Sequence, residues 1–329
     1  MTHTIATEWA KFFLEVARQH GQDPDAWLTS RGYAADVLAA GRAPFELEEH
    51  IFADMAERVP DFGLAAARSL VIGAFPRIDY ALMASANLGE ALVRISEFSR
   101  YLNSGYRFVS RRTTGGVELA VVRIAPGDRI LPARAVFTIA ALTQLGRNLA
   151  ADGPTIDPVG VSFRHREPAD LDALRVACGP HLRFSQPRDS VMFRQQDLER
   201  PNPAAEPSLA KILGDAARDE VSVVVPERFV ERARAEISIE LAFGVPAAPD
   251  IAARLGLSLR TLHRQLASHG TSFGDLLQEI RFERAQAWLE EGVSATAVAS
   301  LVFYSEVAAF FRAYRRHFGH NPSEAGRSR

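Results

Sequence analysis

Hydrophobic residues recur with the spacing of amphipathic helices through the first third of the chain. Trp9, Phe13 and Val16 fall on one side of a helix and are separated by polar residues. Asp23 followed by Pro24 adds a capping residue and the first-turn proline that often begins a helix. The pattern predicts helices at 7–20, 23–31, 45–58, 61–70, 77–86 and 88–103.

The pattern changes to alternation in SGYRFVSRRTTGGVELAVVRI, residues 104–124. Tyr106 and Phe108 alternate with other residues, and TTGG then leads into the apolar run VELAVVRI. Glycines supply the positive φ that a tight turn needs, so a β-hairpin is predicted. Beyond it the pattern predicts helices at 131–151 and 168–178, and strands at 158–165 and around 182–184 and 190–194. Helices combined with a hairpin indicate an α+β domain.

A proline-rich segment, ERPNPAAEPSL at 199–209, begins the exit from this domain. From Pro226 onward the chain reads as helical, with glycines marking the breaks. The predicted organisation is an α+β domain at 1–205, a linker region at 206–225 that contains a helix near 206–217, and an all-α domain at 226–329.

The segment PDIAARLGLSLRTLHRQLASHG, residues 249–270, has the pattern of a helix-turn-helix. Asp250 is predicted to cap a short helix, Gly256 to supply a left-handed turn residue and Ser258 to cap a second helix. That second helix buries Leu262 and Leu266, which are four residues apart, and exposes a polar face. The pattern fits a recognition helix that enters the DNA major groove, and it also fits an αα-hairpin that only packs.

The same pattern returns in ATAVASLVFYSEVAAFFRAY, residues 295–314. The two predicted helix-turn-helix units span 250–268 and 295–317. Between them lies a predicted helix of roughly 19 residues, which would be about 28 Å long. One turn of DNA is ~34 Å, so a rigid spacer of this length can present two recognition helices to successive major grooves.

Charge and composition restrict the possible functions less than the repeated helix-turn-helix pattern does. The formal net charge is −2, and residues 226–329 contain thirteen arginines, no lysine and twelve carboxylates, a net of +1. DNA binding would therefore depend on where the arginines lie, not on bulk charge. The N-terminus lacks a signal-peptide pattern and no apolar run is long enough to span a membrane, so a cytoplasmic protein is predicted.

Residues 226–326 resemble the DNA-binding domain of the AraC/XylS family of bacterial transcription regulators. The motifs that carry the resemblance are IAARLGLSLRTLHRQL, IRFERAQAWLEEG and AAFFRAYRRHFGHNPSE. Family members use two helix-turn-helix units joined by one long helix. The first 200 residues more loosely resemble the effector domain of the branch that is similar to ornithine-utilisation and virulence regulators, through DPDAWLTSRGY, NLGEALVRISEFSRYLNSG and LRFSQPRDSVMFRQQDLERPNP.

The resemblance implies a ligand-responsive transcription regulator and suggests roles for residues of the first unit. Arg260, His263 and Arg264 are expected to read base edges, because arginine pairs with guanine O6 and N7 through two hydrogen bonds. Ser258 and Thr261 lie at the start of the same helix and are better placed to contact phosphate.

The second unit departs from the family pattern. Phe303 replaces the usual turn glycine, and a bulky residue at positive φ is strained. Val307 and Ala308 stand where relatives often carry polar groove residues, and neither side chain can read a donor–acceptor pattern. This unit is therefore expected to hold the DNA backbone and to read few bases. The backbone contacts are expected from Arg312, Arg315 and Arg316.

An effector domain needs an apolar cavity with a few polar groups. A buried arginine there would favour an anionic ligand, such as an amino acid or a fatty acid. The sequence contains no HExxH, GxSxG, glycine-rich phosphate loop or carboxylate-rich metal pattern, so no catalytic residue, cofactor or metal is predicted. The candidate lining residues are Phe75, Arg77, Tyr80, Tyr106, Phe108, Arg123, Phe137 and Phe163.

The predicted partners are a double-stranded DNA operator, a small-molecule effector, a second copy of the chain and RNA polymerase. Dimerisation needs an exposed apolar helix, for which 131–151 is the candidate. One alternative is a constitutive DNA-binding regulator whose N-terminal domain only dimerises. Another is an enzyme fused to a DNA-binding domain, which would need clustered nucleophilic or zinc-binding cysteines, whereas Cys178 is the only cysteine.

Overall fold

The computed structural model describes residues 3–125, 127, 130–150, 153–222 and 228–325. By packing, the chain divides into two compact units. The first consists of residues 2–121 and 130–225, and the second of residues 122–129 and 226–329. The first unit is α+β, and the described part of 228–325 is built of helices. This confirms the predicted fold class.

The first unit begins with a short strand and then mixes helices with strands. All the helices predicted between residues 7 and 103 are present. The elements are β1 (Thr4–Ala6), α1 (Thr7–Gln19), α2 (Pro24–Ser30), β2 (Arg42–Pro44), α3 (Phe45–Arg58), α4 (Phe62–Ser69), α5 (Pro76–Met83), α6 (Leu88–Leu102), β3 (Tyr106–Thr113), β4 (Gly116–Arg123), α7 (Pro132–Leu149), β5 (Gly160–Ser162), α8 (Asp172–Cys178), β6 (Leu182–Arg183), β7 (Asp189–Phe193), α9 (Gln195–Leu198) and α10 (Pro207–Ser222).

A five-stranded sheet in the order β3-β4-β7-β5-β6 forms the β layer of this unit. The predicted β3–β4 hairpin is confirmed, with Gly116 at φ 141° where the second strand begins. Antiparallel pairing of β7 with both β4 and β5 places Val191 opposite Leu119 and Val161. All three side chains are buried. Because directly opposed residues share a face, this face of the sheet belongs to the core.

Several short elements differ from the prediction. Strand β5 is shorter than predicted, and α8 begins at Asp172 instead of at Pro168. The Asp170 carboxylate accepts a hydrogen bond from the backbone N–H of Asp172 (2.9 Å), which marks the turn that precedes the helix. Strands β1 and β2 pair in a separate sheet that the sequence pattern does not predict. Three residues are too few to display a recognisable alternation.

Helix α7 lies at the centre of the first unit. Its Phe137 and Ile139 are buried, and α4 packs against it so closely that a Cβ on Gly63 would lie 2.1 Å from the backbone oxygen of Ala133. The prediction of an exposed apolar dimerisation helix at 131–151 is therefore wrong, because the apolar residues of this helix build the core. Residue 151 itself lies outside the described residues.

Helix α10 occupies most of the predicted linker region, 206–225. It packs against α5 and α6, and Arg94 of α6 donates a hydrogen bond to the carbonyl oxygen of Ala210 (2.9 Å). This stretch is therefore a packed helix of the first unit and not a free connection. Residues 223–225 of the predicted linker lie outside the described residues, as do 226–227 and 326–329 of the predicted all-α domain.

The described part of the second unit between 228 and 325 contains two hydrophobic clusters. The first includes Leu262, Leu266 and Ile280, and the second includes Trp288 and Phe310. The longest helix of this unit, α14, contributes to both clusters and so connects them. The helices are α11 (Phe229–Leu241), α12 (Ala248–Arg254), α13 (Leu259–Ser268), α14 (Phe273–Glu290), α15 (Ala295–Leu301), α16 (Val307–Phe318) and α17 (Pro322–Ala325).

The start of α12 differs from the prediction. The helix begins at Ala248 with Pro249 in its first turn, so Asp250 lies inside the helix and does not cap it. An acidic side chain in a first turn still interacts favourably with the positive end of the helix dipole. The predicted cap at Asp250 is therefore wrong, although the turn that follows α12 has the predicted form.

Candidate nucleic-acid interface

Helices α12 and α13 form the first helix-turn-helix. Gly256 adopts φ 70° in the turn, where a residue without Cβ avoids strain. The Ser258 hydroxyl oxygen accepts a hydrogen bond from the backbone N–H of Thr261 (3.2 Å) and so caps α13. Leu262 and Leu266 are fully buried. The opposite side of α13 is therefore presented to solvent.

The three residues predicted to read bases lie together on this exposed side. Arg260, His263 and Arg264 are all exposed, and their spacing of three and four residues places them on one helix face. Neither Arg260 nor Arg264 forms an ion pair with any residue that the structure describes. Helix α13 contains no acidic residue. Its exposed face therefore carries positive charge that no neighbouring carboxylate neutralises.

Two other arginines of the second unit, Arg234 and Arg254, are paired with carboxylates. These pairs involve α11, α12 and α14, outside the two predicted recognition helices. Their guanidinium groups therefore stabilise helix packing and carry little free charge. The pairs are Arg234 with Glu279 (3.5 Å) and Glu283, and Arg254 with Glu236 (3.4 Å) and Glu240.

Helices α15 and α16 form the second helix-turn-helix. Phe310 and Tyr314 are buried on one side of α16, while the arginines on its other side are exposed. Helix α16 also lacks acidic residues. The exposed arginines, none of which forms an ion pair within the described ranges, are Arg312, Arg315 and Arg316.

The N-terminal end of α16 carries little hydrogen-bonding capacity. Val307 and Ala308 are exposed there, and the capping residue, Glu306, accepts no hydrogen bond through its side chain from the helix. This end is the part of a recognition helix that meets base edges. The side chains that α16 offers in this position are therefore small and apolar.

The turn between α15 and α16 is strained at Phe303. Phe303 adopts φ 59°, a conformation that L-residues with a Cβ rarely adopt. Its half-buried side chain packs against the hydrophobic cluster of the first helix-turn-helix unit, which contains Leu262 and Ile280. Glycine could relax the backbone but could not make this contact. Phe303 therefore joins the turn of the second helix-turn-helix to the hydrophobic cluster of the first helix-turn-helix.

Helix α14 holds the same turn through two polar side chains that the sequence did not single out. The Arg281 guanidinium donates a hydrogen bond to the Phe303 carbonyl oxygen (3.4 Å) and lies over the Tyr304 ring, 5.2 Å from its centroid. Gln278 donates to the Tyr304 hydroxyl (2.6 Å). Partial burial lowers the pKa of Arg281 from its usual value. The only sequence signal for this arrangement was the missing turn glycine.

The Phe303 contact can be tested by comparing two substitutions. Phe303→Ala keeps a Cβ at positive φ and loses the packing, so we expect the free energy of unfolding to fall by about 1–3 kcal/mol. Phe303→Gly loses the same packing and relaxes the backbone, so it should be about 1 kcal/mol more stable than Phe303→Ala. Urea denaturation of both variants measures the difference. Equal stability of the two variants would contradict the strained turn.

An apolar cavity lies in the first unit, between the α4–α5 loop, α5, α6, β3 and α7. Half of the residues predicted to line an effector pocket surround it: Phe75, Tyr106, Phe108 and Phe137. The other four do not. Arg77 and Tyr80 are exposed, Arg123 is buried where its side chain donates to the Ala125 carbonyl oxygen (3.4 Å), and Phe163 stacks on Phe184 with centroids 5.6 Å apart.

The arginine at this cavity is Arg134, which sequence reasoning missed. Arg134 is 5% exposed, and its Nε donates to the Glu48 carboxylate (2.5 Å). Glu48 is 1% exposed and also accepts from Trp9 Nε1 (3.1 Å) and Asn103 Nδ2 (2.6 Å). The Arg134 guanidinium lies over the Tyr106 ring, 4.6 Å from its centroid. The cavity therefore contains an arginine whose charge is already balanced by a buried carboxylate.

The described residues offer few other groups that could bind a metal or react. No cluster of three or more metal-ligating side chains occurs among them, and none of their helices is both long and apolar enough to cross a membrane. Burial raises the pKa of the Cys178 thiol to about 12. Because the thiolate is the reactive form, this cysteine is inert at neutral pH.

Comparisons with known proteins give consistent matches. A model described as the arabinose-binding N-terminal domain of AraC transcription regulators matches residues 21–202, and a helix-turn-helix domain model matches residues 251–328. The chain is 25% identical to the ornithine utilization regulator of Pseudomonas aeruginosa over 329 residues, which cover 97% of this chain and 95% of that protein.

Two further similarities extend the comparison. The transcriptional regulator VirS of Mycobacterium tuberculosis is 27% identical over 271 residues, which cover 80% of this chain and 78% of VirS. The crystal structure of the transcriptional regulator CdpR from Pseudomonas aeruginosa aligns over 96% of this chain and 98% of CdpR, with a TM-score of 0.44 and 18% identity. The matched domains and relatives are those of transcription regulators, not of enzymes. Since the N-terminal model alone spans more than half of the sequence, the chain belongs to the AraC family of transcription regulators.

Proposed function

We propose that this regulator recognises a specific double-stranded DNA operator through α13 and α16 and that a small molecule bound in its first unit controls this activity. The observation that carries the DNA part is the distribution of free charge. The arginines of α13 and α16 are exposed and without carboxylate partners, whereas Arg234 and Arg254 are paired. Unpaired arginine is what phosphate and guanine contacts require.

The two helix-turn-helix motifs have different roles in this proposal. In the first helix-turn-helix, Arg260, His263 and Arg264 read base edges in the major groove, and Ser258 and Thr261 contact phosphate at the start of α13. In the second helix-turn-helix the arginines of α16 hold the DNA backbone. Because Val307 and Ala308 offer no hydrogen-bonding group to base edges, this unit positions the protein more than it selects a sequence.

Single arginine-to-alanine substitutions distinguish recognition of bases from binding of the DNA backbone. Arg264→Ala should lower the affinity for the operator by about 1–3 kcal/mol while preserving most non-specific binding. Arg315→Ala should weaken binding to operator and random DNA alike, and it should reduce the slope of log K against log salt by about one unit. Fluorescence anisotropy with operator and scrambled duplexes at several salt concentrations measures both effects, once DNA selected by the purified protein has defined the operator.

Arg254→Ala serves as the matched control, because this arginine lies in the same helix-turn-helix and is paired with Glu236 and Glu240. We expect it to change neither the discrimination between duplexes nor the salt slope. If Arg264→Ala and Arg315→Ala reduced binding to both duplexes in the same proportion, the assignment of separate roles would fail.

The regulatory part of the proposal rests on the cavity beside α7. An apolar cavity favours response to a ligand over constitutive DNA binding, because a domain that only dimerised would have no need of one. Ligand binding would act by favouring one of two arrangements of the protein that differ in operator occupancy. A cytoplasmic location, a homodimer and contact with RNA polymerase complete the proposal, and membership of the AraC family is their support.

A further inference from the structure

The cavity beside α7 is lined mainly by hydrophobic side chains. Its volume is about 120 Å³. Cavities of roughly 150 Å³ accept a benzene ring, so this volume suits a small ring or a short section of acyl chain. The apolar lining residues are Trp9, Ala67, Leu70, Val71, Ile72, Phe75, Ile78, Leu82, Met83, Ile95, Leu102, Tyr106, Phe108, Phe137, Ala141, Leu142 and Leu145.

At the mouth of the cavity, apolar side chains extend from the lining to the protein surface. Val71 and Ile72 are 64% and 50% exposed, although both are branched aliphatic residues that line the cavity. They lie in the loop between α4 and α5. A ligand too long for the cavity would cover these two side chains and remove their apolar surface from water.

The polar groups of the lining are largely occupied by protein partners. Asn103 donates to Glu48 and accepts from the backbone N–H of Gly105 (2.8 Å). Ser99 donates to the Ser96 carbonyl oxygen (2.9 Å). The Thr138 hydroxyl donates to the Arg134 carbonyl oxygen (2.9 Å) and accepts from the Arg134 guanidinium. Gln144 and Asn148 also line the cavity, and the Gln144 amide donates to Asn148 Oδ1 (2.7 Å). Because most of the polar lining groups are paired within the protein, a ligand with many hydroxyl groups would find few partners here, and each unpaired buried hydroxyl is costly.

The charges of the lining do not favour an anion. The positive charge of Arg134 is balanced by Glu48, and the second charged lining residue, Asp79, is a carboxylate. Asp79 accepts from the backbone N–H groups of Gly73 (2.9 Å) and Phe75 (2.8 Å), and burial raises its pKa. A ligand carboxylate would have to compete with Glu48 and approach Asp79. The earlier expectation of an anionic ligand is therefore not supported by this site.

A neutral hydrogen-bond acceptor would be accommodated more favourably here than an anion. The Arg134 Nη2 has no hydrogen-bond partner among the residues that the structure describes, while the other two guanidinium nitrogens donate to Glu48 and Thr138. One carbonyl or amide oxygen could accept from it without disturbing the buried ion pair. Breaking that pair would leave a carboxylate buried alone, which is strongly unfavourable.

We infer that the cavity takes a neutral, predominantly apolar molecule, an acyl chain or ring that carries a single uncharged hydrogen-bond acceptor. This inference rests on the proposed ligand response and specifies its chemistry. It excludes sugars and charged amino acids, although the matching domain model is described as arabinose-binding and one relative as an ornithine utilization regulator. It also predicts that free fatty acids bind more weakly than their neutral amides or esters.

The test compares ligands of equal length that differ in charge. Isothermal titration calorimetry on the full chain would use octanamide, octanoate, octylamine, L-arabinose and L-ornithine, with acetophenone as a neutral ring. We expect octanamide to bind at least about tenfold more tightly than octanoate or octylamine. Neither arabinose nor ornithine should bind. Tighter binding of octanoate, arabinose or ornithine, or no binding by octanamide and acetophenone, would overturn the inference.

Two substitutions test whether octanamide binds in this cavity. Ala141→Trp fills the space from a half-buried lining position and should abolish octanamide binding. Val93→Trp adds the same side chain at an exposed position of α6 that does not line the cavity, and it should leave octanamide binding unchanged. Retention of octanamide binding by Ala141→Trp would place the ligand elsewhere and overturn the assignment of this cavity.

Operator binding, measured in the same preparations, separates this inference from the proposed function. Operator recognition without octanamide or acetophenone binding would overturn the ligand inference and leave the DNA-binding role intact. Octanamide binding without recognition of any specific duplex would overturn the DNA-binding role and leave the ligand site intact.

Discussion

Replacing Arg134 with methionine is expected to lower the free energy of unfolding of the first unit by about 3–5 kcal/mol. Methionine retains an unbranched chain that can pack on Tyr106 and Phe137, so little volume is lost. The loss arises because Glu48 is left as a buried carboxylate, with only Trp9 and Asn103 as donors. An uncompensated buried charge costs far more than a missing surface contact. Chemical denaturation followed by circular dichroism measures the change.

Two controls identify the buried charge as the cause. The double substitution Glu48→Gln with Arg134→Met removes both charges and keeps an acceptor for Trp9 and Asn103, so it should recover most of the lost stability. Arg18→Met breaks an exposed pair with Glu15 and should cost about 1 kcal/mol or less. If the double variant were as unstable as Arg134→Met alone, lost packing and not charge would explain the effect.

Replacing Phe310 with alanine is expected to destabilise the second helix-turn-helix unit by about 3–5 kcal/mol, since it opens a cavity at a fully buried position. Phe310 contacts Tyr304, Phe311 and Tyr314 through its ring, with centroid distances of 5.4, 5.9 and 5.6 Å. Loss of this ring removes the support under the α16 arginines. Affinity for all DNA should therefore fall together with stability, as measured by denaturation and anisotropy.

The neighbouring Phe311 provides the comparison for this result. It lies on the same helix and is only half-buried, so Phe311→Ala should cost roughly half as much stability or less. Because the two side chains are identical, burial is the variable that the comparison isolates. Equal destabilisation by the two variants would show that α16 is not packed through Phe310 as described.

The helix-turn-helix could be predicted from sequence because its signals are local. The glycine turn, the Ser258 cap and the four-residue spacing of Leu262 and Leu266 all lie within eleven residues and act through backbone geometry. Most helices and the β3–β4 hairpin were predictable for the same reason. The very short strands β1 and β2 were not, because three residues carry no period and pairing partners are supplied by the fold.

The effector cavity was predictable only in part because its chemistry depends on contacts between distant residues. The Glu48–Arg134 pair joins positions 86 residues apart, and no local pattern distinguishes Arg134 from Arg77 or Arg123. The aromatic residues Phe75, Tyr106, Phe108 and Phe137 were selected correctly as neighbours of the cavity, since large apolar side chains tend to lie inside. Which arginine faces inward follows from packing, which the sequence does not display.

The contact of Phe303 with the hydrophobic cluster of the first helix-turn-helix has a consequence for promoter architecture. If the two halves of the DNA-binding unit cannot turn independently, the number of base pairs between their contact sites is constrained as well. One inserted base pair rotates the second site by about 35° around the duplex axis and moves it along the axis. Point substitutions could then accumulate gradually in the promoters that such a protein controls, whereas single-base insertions and deletions would be eliminated.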